Sequence, residues 1–96
     1  MIQRTVSKPR RRLNFSPGQI VLDQNSSGKL SSEDIIPALS RHIVGDWGKV
    51  SRRRAQINQI ALSNKKSIRS VYFSDDGLRF CVVTNGNRSI TTVKVL

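Results

Sequence analysis

The chain holds one cysteine, Cys81, and one histidine, His42. A lone thiol makes no intrachain disulfide, and one Cys with one distant His falls short of a structural zinc site. Neither a disulfide framework nor a metal or other cofactor is expected. Aromatic residues are few: one Trp, one Tyr and three Phe. Proteins that stack single strands present several exposed rings on a sheet, so this scarcity points away from that mode. No apolar run approaches the roughly 20 residues of a membrane span. The basic N-terminus has no apolar stretch behind it, which argues against a secretory signal. A reducing, cytoplasmic setting with no membrane partner is the expectation, and nothing suggests a small-molecule substrate.

Acid is scarce as well. Six Asp and Glu stand against seventeen Lys and Arg, a net charge of +11 over 96 residues. A small domain stays soluble with a net charge of only about 2–8. The excess repels itself, which costs stability unless a polyanion relieves it. Nucleic acid is the commonest polyanion of that kind, and an acidic protein surface is the alternative.

Apolar residues make up 36% of the chain, enough for one modest core and no more. Residues 1–12 carry Arg4, Lys8, Arg10, Arg11 and Arg12 without a single acid, and read as a flexible basic arm. Residues 13–96 read as one domain with its own surplus of +6.

Within that domain Ser16-Pro17-Gly18 is a turn, followed by a short β-prone run, Gln19–Leu22, expected at a sheet edge. A first helix is expected over about 35–44, capped by Ser32 or Asp34, since Pro37 is tolerated in a first turn. Ile35, Leu39 and His42 or Ile43 then share a face, and Gly45 ends the helix. A second helix starts after Ser51 and runs to about Leu62, with Ala55, Ile57, Ile60 and Ala61 as a buried stripe. Three strands close the chain: Ile68–Phe73, Leu78–Thr84 and Ser89–Leu96. Ser74-Asp75-Asp76-Gly77 and Asn85-Gly86-Asn87 are the hairpin signals between them. In the middle strand Leu78, Phe80 and Val82 alternate with Arg79, Cys81 and Val83, so one face is buried and the other partly polar. The expected fold is α+β: two helices on a three- to four-stranded, mainly antiparallel sheet.

Arg41-His42-Ile-Val-Gly45-Asp46-Trp47-Gly48, then Ser70-Val-Tyr72, Asp76-Gly77 and Arg88-Ser89-Ile90-Thr91-Thr92, form an ordered set. The set resembles a family of small bacterial proteins associated with plasmids and mobile elements. Its members share an Arg-His-x-x-Gly-Asp-Trp-Gly motif and a C-terminal Arg-Ser-x-Thr-Thr motif. The resemblance spans about 15–95 and implies no particular activity. The departures from it share one direction. Ser51-Arg-Arg-Arg54 stands where the family is acidic, and Asn85-Gly86-Asn87 stands where it has Glu-Ala-Asp. Cys81 replaces a strand Trp.

The candidate nucleic-acid-binding residues follow from charge. Arg10, Arg11 and Arg12 suit a phosphate-tracking or minor-groove arm. Arg52, Arg53 and Arg54 occupy a helix N-terminus, where the macrodipole disfavours cations by about 0.3–1 kcal/mol each, so helix stability does not select them. Guanidinium and N-terminal N–H groups together suit a phosphate oxygen. Lys65, Lys66 and Arg69 are expected to extend the same patch, with Arg79 on the polar face of the sheet. The leading expectation is non-enzymatic nucleic-acid binding, DNA rather than RNA. The alternatives are an interaction module docking on an acidic partner, and a small basic ribonuclease with His42 as base and Asp46 beside it. The structural reading of those two residues is a helix C-cap for His42 and a turn acceptor for Asp46, with Trp47 in the core.

Overall fold

The computed structural model describes residues 14–96. The expected arm, with Arg10, Arg11 and Arg12, lies outside the described residues. The fold is α+β, with two α-helices and a four-stranded mixed sheet.

Strands β2 (Ile68–Phe73), β3 (Arg79–Thr84) and β4 (Ile90–Val95) form the antiparallel meander that the hairpin signals predict. In the β2–β3 turn Gly77 takes φ 84°, which only glycine adopts without strain. The Ser74 hydroxyl accepts the Leu78 N–H at 3.0 Å. That bond holds Leu78 in the turn, so it is 37% exposed where alternation predicts burial beside Phe80 and Val82. Strand β1 (Gln19–Leu22) is at the sheet edge and pairs parallel to β4, in the order β1-β4-β3-β2.

The helices pack on one face of the sheet. Ile68, Ser70 and Tyr72 of β2, Phe80, Val82 and Thr84 of β3, and Thr91 and Val93 of β4 are all buried on it. Helix α1 (Ser32–His42) lays Ile35, Ala38 and Leu39 over Tyr72, Phe80, Val82 and Val93. Helix α2 (Arg52–Asn64) joins Trp47, Val50 and Phe15 around Ile68 through Ala55, Ala61 and Leu62.

Helix α1 starts three residues earlier than expected, with Ser31 rather than Ser32 or Asp34 as its N-cap. Asp34 is instead the third helical residue and closes a capping box. Its carboxylate accepts the Ser31 N–H at 3.1 Å, while the Ser31 hydroxyl accepts the Asp34 N–H at 3.3 Å. The other Asp34 oxygen accepts the Asp75 N–H at 3.0 Å, tying the helix start to the β2–β3 turn. These bonds hold the Asp34 carboxyl below its usual range. Pro37 therefore falls in the second turn, where it removes the bond to the Glu33 carbonyl; the box offsets that loss.

Helix α2 is capped by Ser51 as expected, its hydroxyl accepting the Arg54 N–H at 3.0 Å. Its buried stripe differs from the expected one. Asn58 and Ala61 are buried, whereas Ile57 is 39% and Ile60 60% exposed. The cause is a polar anchor. The Asn58 amide donates to the Arg69 carbonyl at 2.8 Å and accepts the Arg69 N–H at 3.1 Å. This pair turns α2 so that Asn58 faces the free edge of β2, and both isoleucines swing outward. Farther along that edge, residues 47–49 run parallel to β2 and pair with Val71 through the Trp47 carbonyl and the Lys49 N–H. Gly48 permits the approach, since a Cβ there would collide with the Val71 carbonyl and the Tyr72 ring.

Candidate nucleic-acid interface

The six acidic residues are placed unevenly. None occurs between Trp47 and Ser74, a stretch that carries Lys49, Arg52, Arg53, Arg54, Lys65, Lys66 and Arg69. Glu33, Asp34, Asp75 and Asp76 belong to the α1 start and the β2–β3 turn, joined by the Asp34–Asp75 bond. Asp46 pairs with Arg41 in a fork, at 2.8 Å to Nε and 3.1 Å to Nη2. The whole of α2 and β2 is thus free of compensating carboxylates.

The sequence-derived candidates fall into three groups. Arg52 and Arg53 are exposed in the first turn of α2, while Arg54 is half-buried. Lys65 and Lys66 lie beyond the other end of the same helix. At 1.5 Å per residue the two groups are separated by about 18 Å along the axis. They are therefore the two ends of a rod, not the single patch expected. Lys65 sits in the left-handed region at φ 55°, a position normally given to glycine or asparagine. Arg69 and Arg79 form the third group, on the sheet face that neither helix covers. Lys94 shares that face, in register with Cys81 and Val71.

Phe73 also belongs to the outer face, opposite Arg79 in the β2–β3 register and 53% exposed. Tyr72 and Phe80 are buried, as is Trp47. Phe73 is the one strongly exposed aromatic among the described residues, so the sheet offers a single ring rather than a row of stacking platforms.

Charge counting alone passes over Arg88. With φ 63° it occupies the left-handed position of the β3–β4 turn. Its guanidinium donates to the carbonyls of Ala61 at 2.8 Å and Lys66 at 2.7 Å, and lies 5.3 Å from the Phe15 ring centre. It therefore binds the carbonyl end of α2 and fixes how the helix is presented. Its mark in the sequence is an Arg directly after the Gly86-Asn87 turn.

His42 is fully buried beneath α1. Its Nδ1 meets the Ser70 hydroxyl, and its Nε2 is 2.9 Å from the Thr84 hydroxyl. Thr84 is 2.6 Å from Thr91, whose hydroxyl donates to the Pro17 carbonyl at 2.6 Å. The last bond sets the direction of the chain. Thr91 spends its proton on Pro17 and accepts from Thr84, so Thr84 accepts from His42 Nε2–H, and Nδ1 accepts from Ser70. The imidazole is held neutral, and burial with the nearby Arg88 charge pushes its pKa down to about 4. The ring serves the sheet rather than capping helix carbonyls, and it has no open side for a substrate. This removes the geometric basis for His42 as a ribonuclease base. Asp46 accepts the Gly48 N–H at 3.4 Å, the turn role expected of it. Cys81 is buried in mid-strand.

Among the described residues no cluster of His, Cys, Asp or Glu is arranged to hold a metal ion, and no helix is long and apolar enough to cross a membrane. Compared with family models, curated proteins and solved structures, the chain gives no match.

Proposed function

We propose that this protein binds nucleic acid without catalysing a reaction, and that its target is DNA, contacted through phosphates. The observation that carries this reading is the first turn of α2: three consecutive arginines at the positive end of a helix dipole, with no acid from residue 47 to 74. A helix gains nothing from cations there. A phosphate gains both guanidinium groups and the N-terminal field. Lys49, Lys65 and Lys66 lengthen the contact along the backbone, and the basic residues Arg10, Arg11 and Arg12 add a further sequence-independent contribution. Arg69, Arg79 and Lys94 supply a second cationic surface on the sheet.

The test is a salt-dependent titration against duplex DNA, single-stranded DNA and RNA. Duplex DNA is expected to bind tightest, with log affinity falling by about 0.9 per contact for each decade of salt. Replacing Arg52, Arg53 and Arg54 together by alanine is expected to lower duplex affinity about tenfold or more and to flatten that slope by about 2–3. Equal binding by the triple variant in low salt would refute the assignment.

A second reading, docking on an acidic protein, draws on exposed apolar side chains of the outer face that carries Arg79 and Lys94: Phe73 opposite Arg79, and Val21 and Ile90 toward the other end of the sheet. A partner of that kind stays bound in a pull-down after nuclease treatment.

A further inference from the structure

The outward face of α2 has a composition that neither solvation nor phosphate binding accounts for. At 100° per residue, Arg53, Gln56, Ile60 and Ser63 fall within about 80° of one another. They lie on the side away from Asn58, and all four are exposed. Arg52 and Gln59 flank this crest on one side, Ile57 and Asn64 on the other. A solvated helix face ordinarily carries Lys and Glu in alternation. This one has neither. Its long side chains are Arg, Gln and Ile, and Ile60 at its centre is 60% exposed.

We propose that α2 enters the major groove of duplex DNA and reads base sequence through this crest. The inference rests on the proposal that DNA is the partner, and adds sequence recognition to it. The chemistry of each residue type has a match on a base edge: Arg with O6 and N7 of guanine, Gln with N6 and N7 of adenine, and an aliphatic side chain with the thymine methyl. Arg53, Gln56 and Ile60 supply these in one line along the helix, with Ser63 a smaller polar contact at the far end. The dimensions agree. Thirteen residues make a helix about 20 Å long and 10–12 Å across, which a major groove about 12 Å wide admits.

The surroundings fit the same placement. Lys49 and Arg52 precede the crest, and Lys65 and Lys66 follow it, so cations stand at both ends of the rod, where the groove's phosphate walls pass. Such contacts fix register without reading sequence. Asn58 holds the middle of the helix to β2 and Arg88 holds its carbonyl end. The crest side chains are thus carried on a backbone anchored from beneath, as accurate base contacts require. No acid occurs from Trp47 to Ser74, so α2 itself carries no carboxylate to repel the groove.

The experiment is selection of preferred sites from a random duplex pool with the full chain. Anisotropy titrations of a selected and a scrambled duplex then follow for wild type and for the Gln56→Ala, Ile60→Ala double variant. Wild type is expected to prefer the selected site at least about tenfold. The double variant is expected to lose most of that preference while binding the scrambled duplex with unchanged affinity and salt slope. Both residues are exposed, and circular dichroism verifies the fold. Gln56→Glu, which sets a carboxylate against the bases, is expected to weaken both duplexes. Duplex binding without sequence preference, preference unaltered in the double variant, or tighter binding to single strands or RNA would each overturn sequence reading by α2. No binding to any nucleic acid overturns the proposed function as well, so the two failures are distinguishable.

Discussion

The two helices of this protein are built on opposite terms. Helix α1 has Glu33 and Asp34 in its first turn, a reciprocal capping box, and Arg41 and His42 in its last turn. Glu33, Asp34 and Arg41 complement the helix dipole, the box satisfies free backbone groups, and the neutral His42 bonds the sheet. Helix α2 has three arginines in its first turn, no acid there, and a left-handed lysine after its last. Its buried face is anchored by an asparagine, and Ile57 and Ile60 face outward, as Ile36 of α1 does. One helix is composed for stability; the other accepts local penalties that the anchors Asn58 and Arg88 make tolerable. The difference marks the first turn of α2 as the place where composition departs from helix stability, and so where the proposed interface is best tested.

The largest expected effect lies on the α1 side. His42, its last residue, is neutral in the folded protein, its pKa lowered from 6.5 to about 4. The unfolded chain takes up a proton near pH 6.5 that the folded chain refuses until pH falls to about 4. This contribution to stability is complete above pH 6.5 and is lost as pH falls through that window. The expected loss is about 3 kcal/mol, at about 1.4 kcal/mol per pH unit. Urea midpoints at pH 7 and pH 4.5 measure it, and a His42→Asn control is expected to show a much flatter dependence. Asp34, whose carboxyl is held below its ordinary range, titrates below this window and does not confuse it.

Next comes the anchor of α2. Asn58→Ala leaves the N–H and carbonyl of Arg69 without their partners, at an expected cost of about 2–3 kcal/mol in chemical denaturation. DNA binding is expected to weaken too, since the crest loses its orientation. A variant with unchanged stability would show that α2 is held by its apolar contacts alone. The smallest effect is Ser31→Ala, which removes the α1 cap. It is expected to lower stability by about 1 kcal/mol and to leave duplex affinity unchanged, because α1 lies outside the proposed interface.

Much of the fold is legible in the sequence, for local reasons. Asp75-Asp76-Gly77 dictates a tight turn, and the alternation around Phe80 and Val82 dictates which face of β3 is covered. Ser51 marks the α2 start because a serine before a helical run has few other uses. The parallel pairing of β1 with β4 is not legible, since it joins segments about seventy residues apart that carry no shared local signal. Nor is the rotation of α2: hydrophobic periodicity favours Ile57 and Ile60 as the buried side, and only a hydrogen-bonded Asn58 reverses it. Part of the candidate site was visible because Arg52, Arg53 and Arg54 contradict the dipole. The crest of Gln56 and Ile60 stayed hidden behind the wrong rotation.

The residues of the Arg41–Gly48 and Arg88–Thr92 segments, which stand out as motifs, find structural uses here. Arg41 forks onto Asp46 and lies 4.8 Å from the Tyr72 ring centre. Thr91 closes the hydroxyl chain from His42, and Arg88 holds α2. These segments build the platform on which Arg52, Arg53 and Arg54 are presented.

The central claim is that the first turn of α2 sacrifices helix stability for polyanion binding. It is tested most directly by measuring both properties on one protein, the Arg52→Ala, Arg53→Ala, Arg54→Ala triple variant. The expected result is an unfolding free energy that is unchanged or higher, together with a loss of duplex DNA affinity of about tenfold or more at low salt. A variant that is less stable yet binds duplex DNA like the wild type would contradict it.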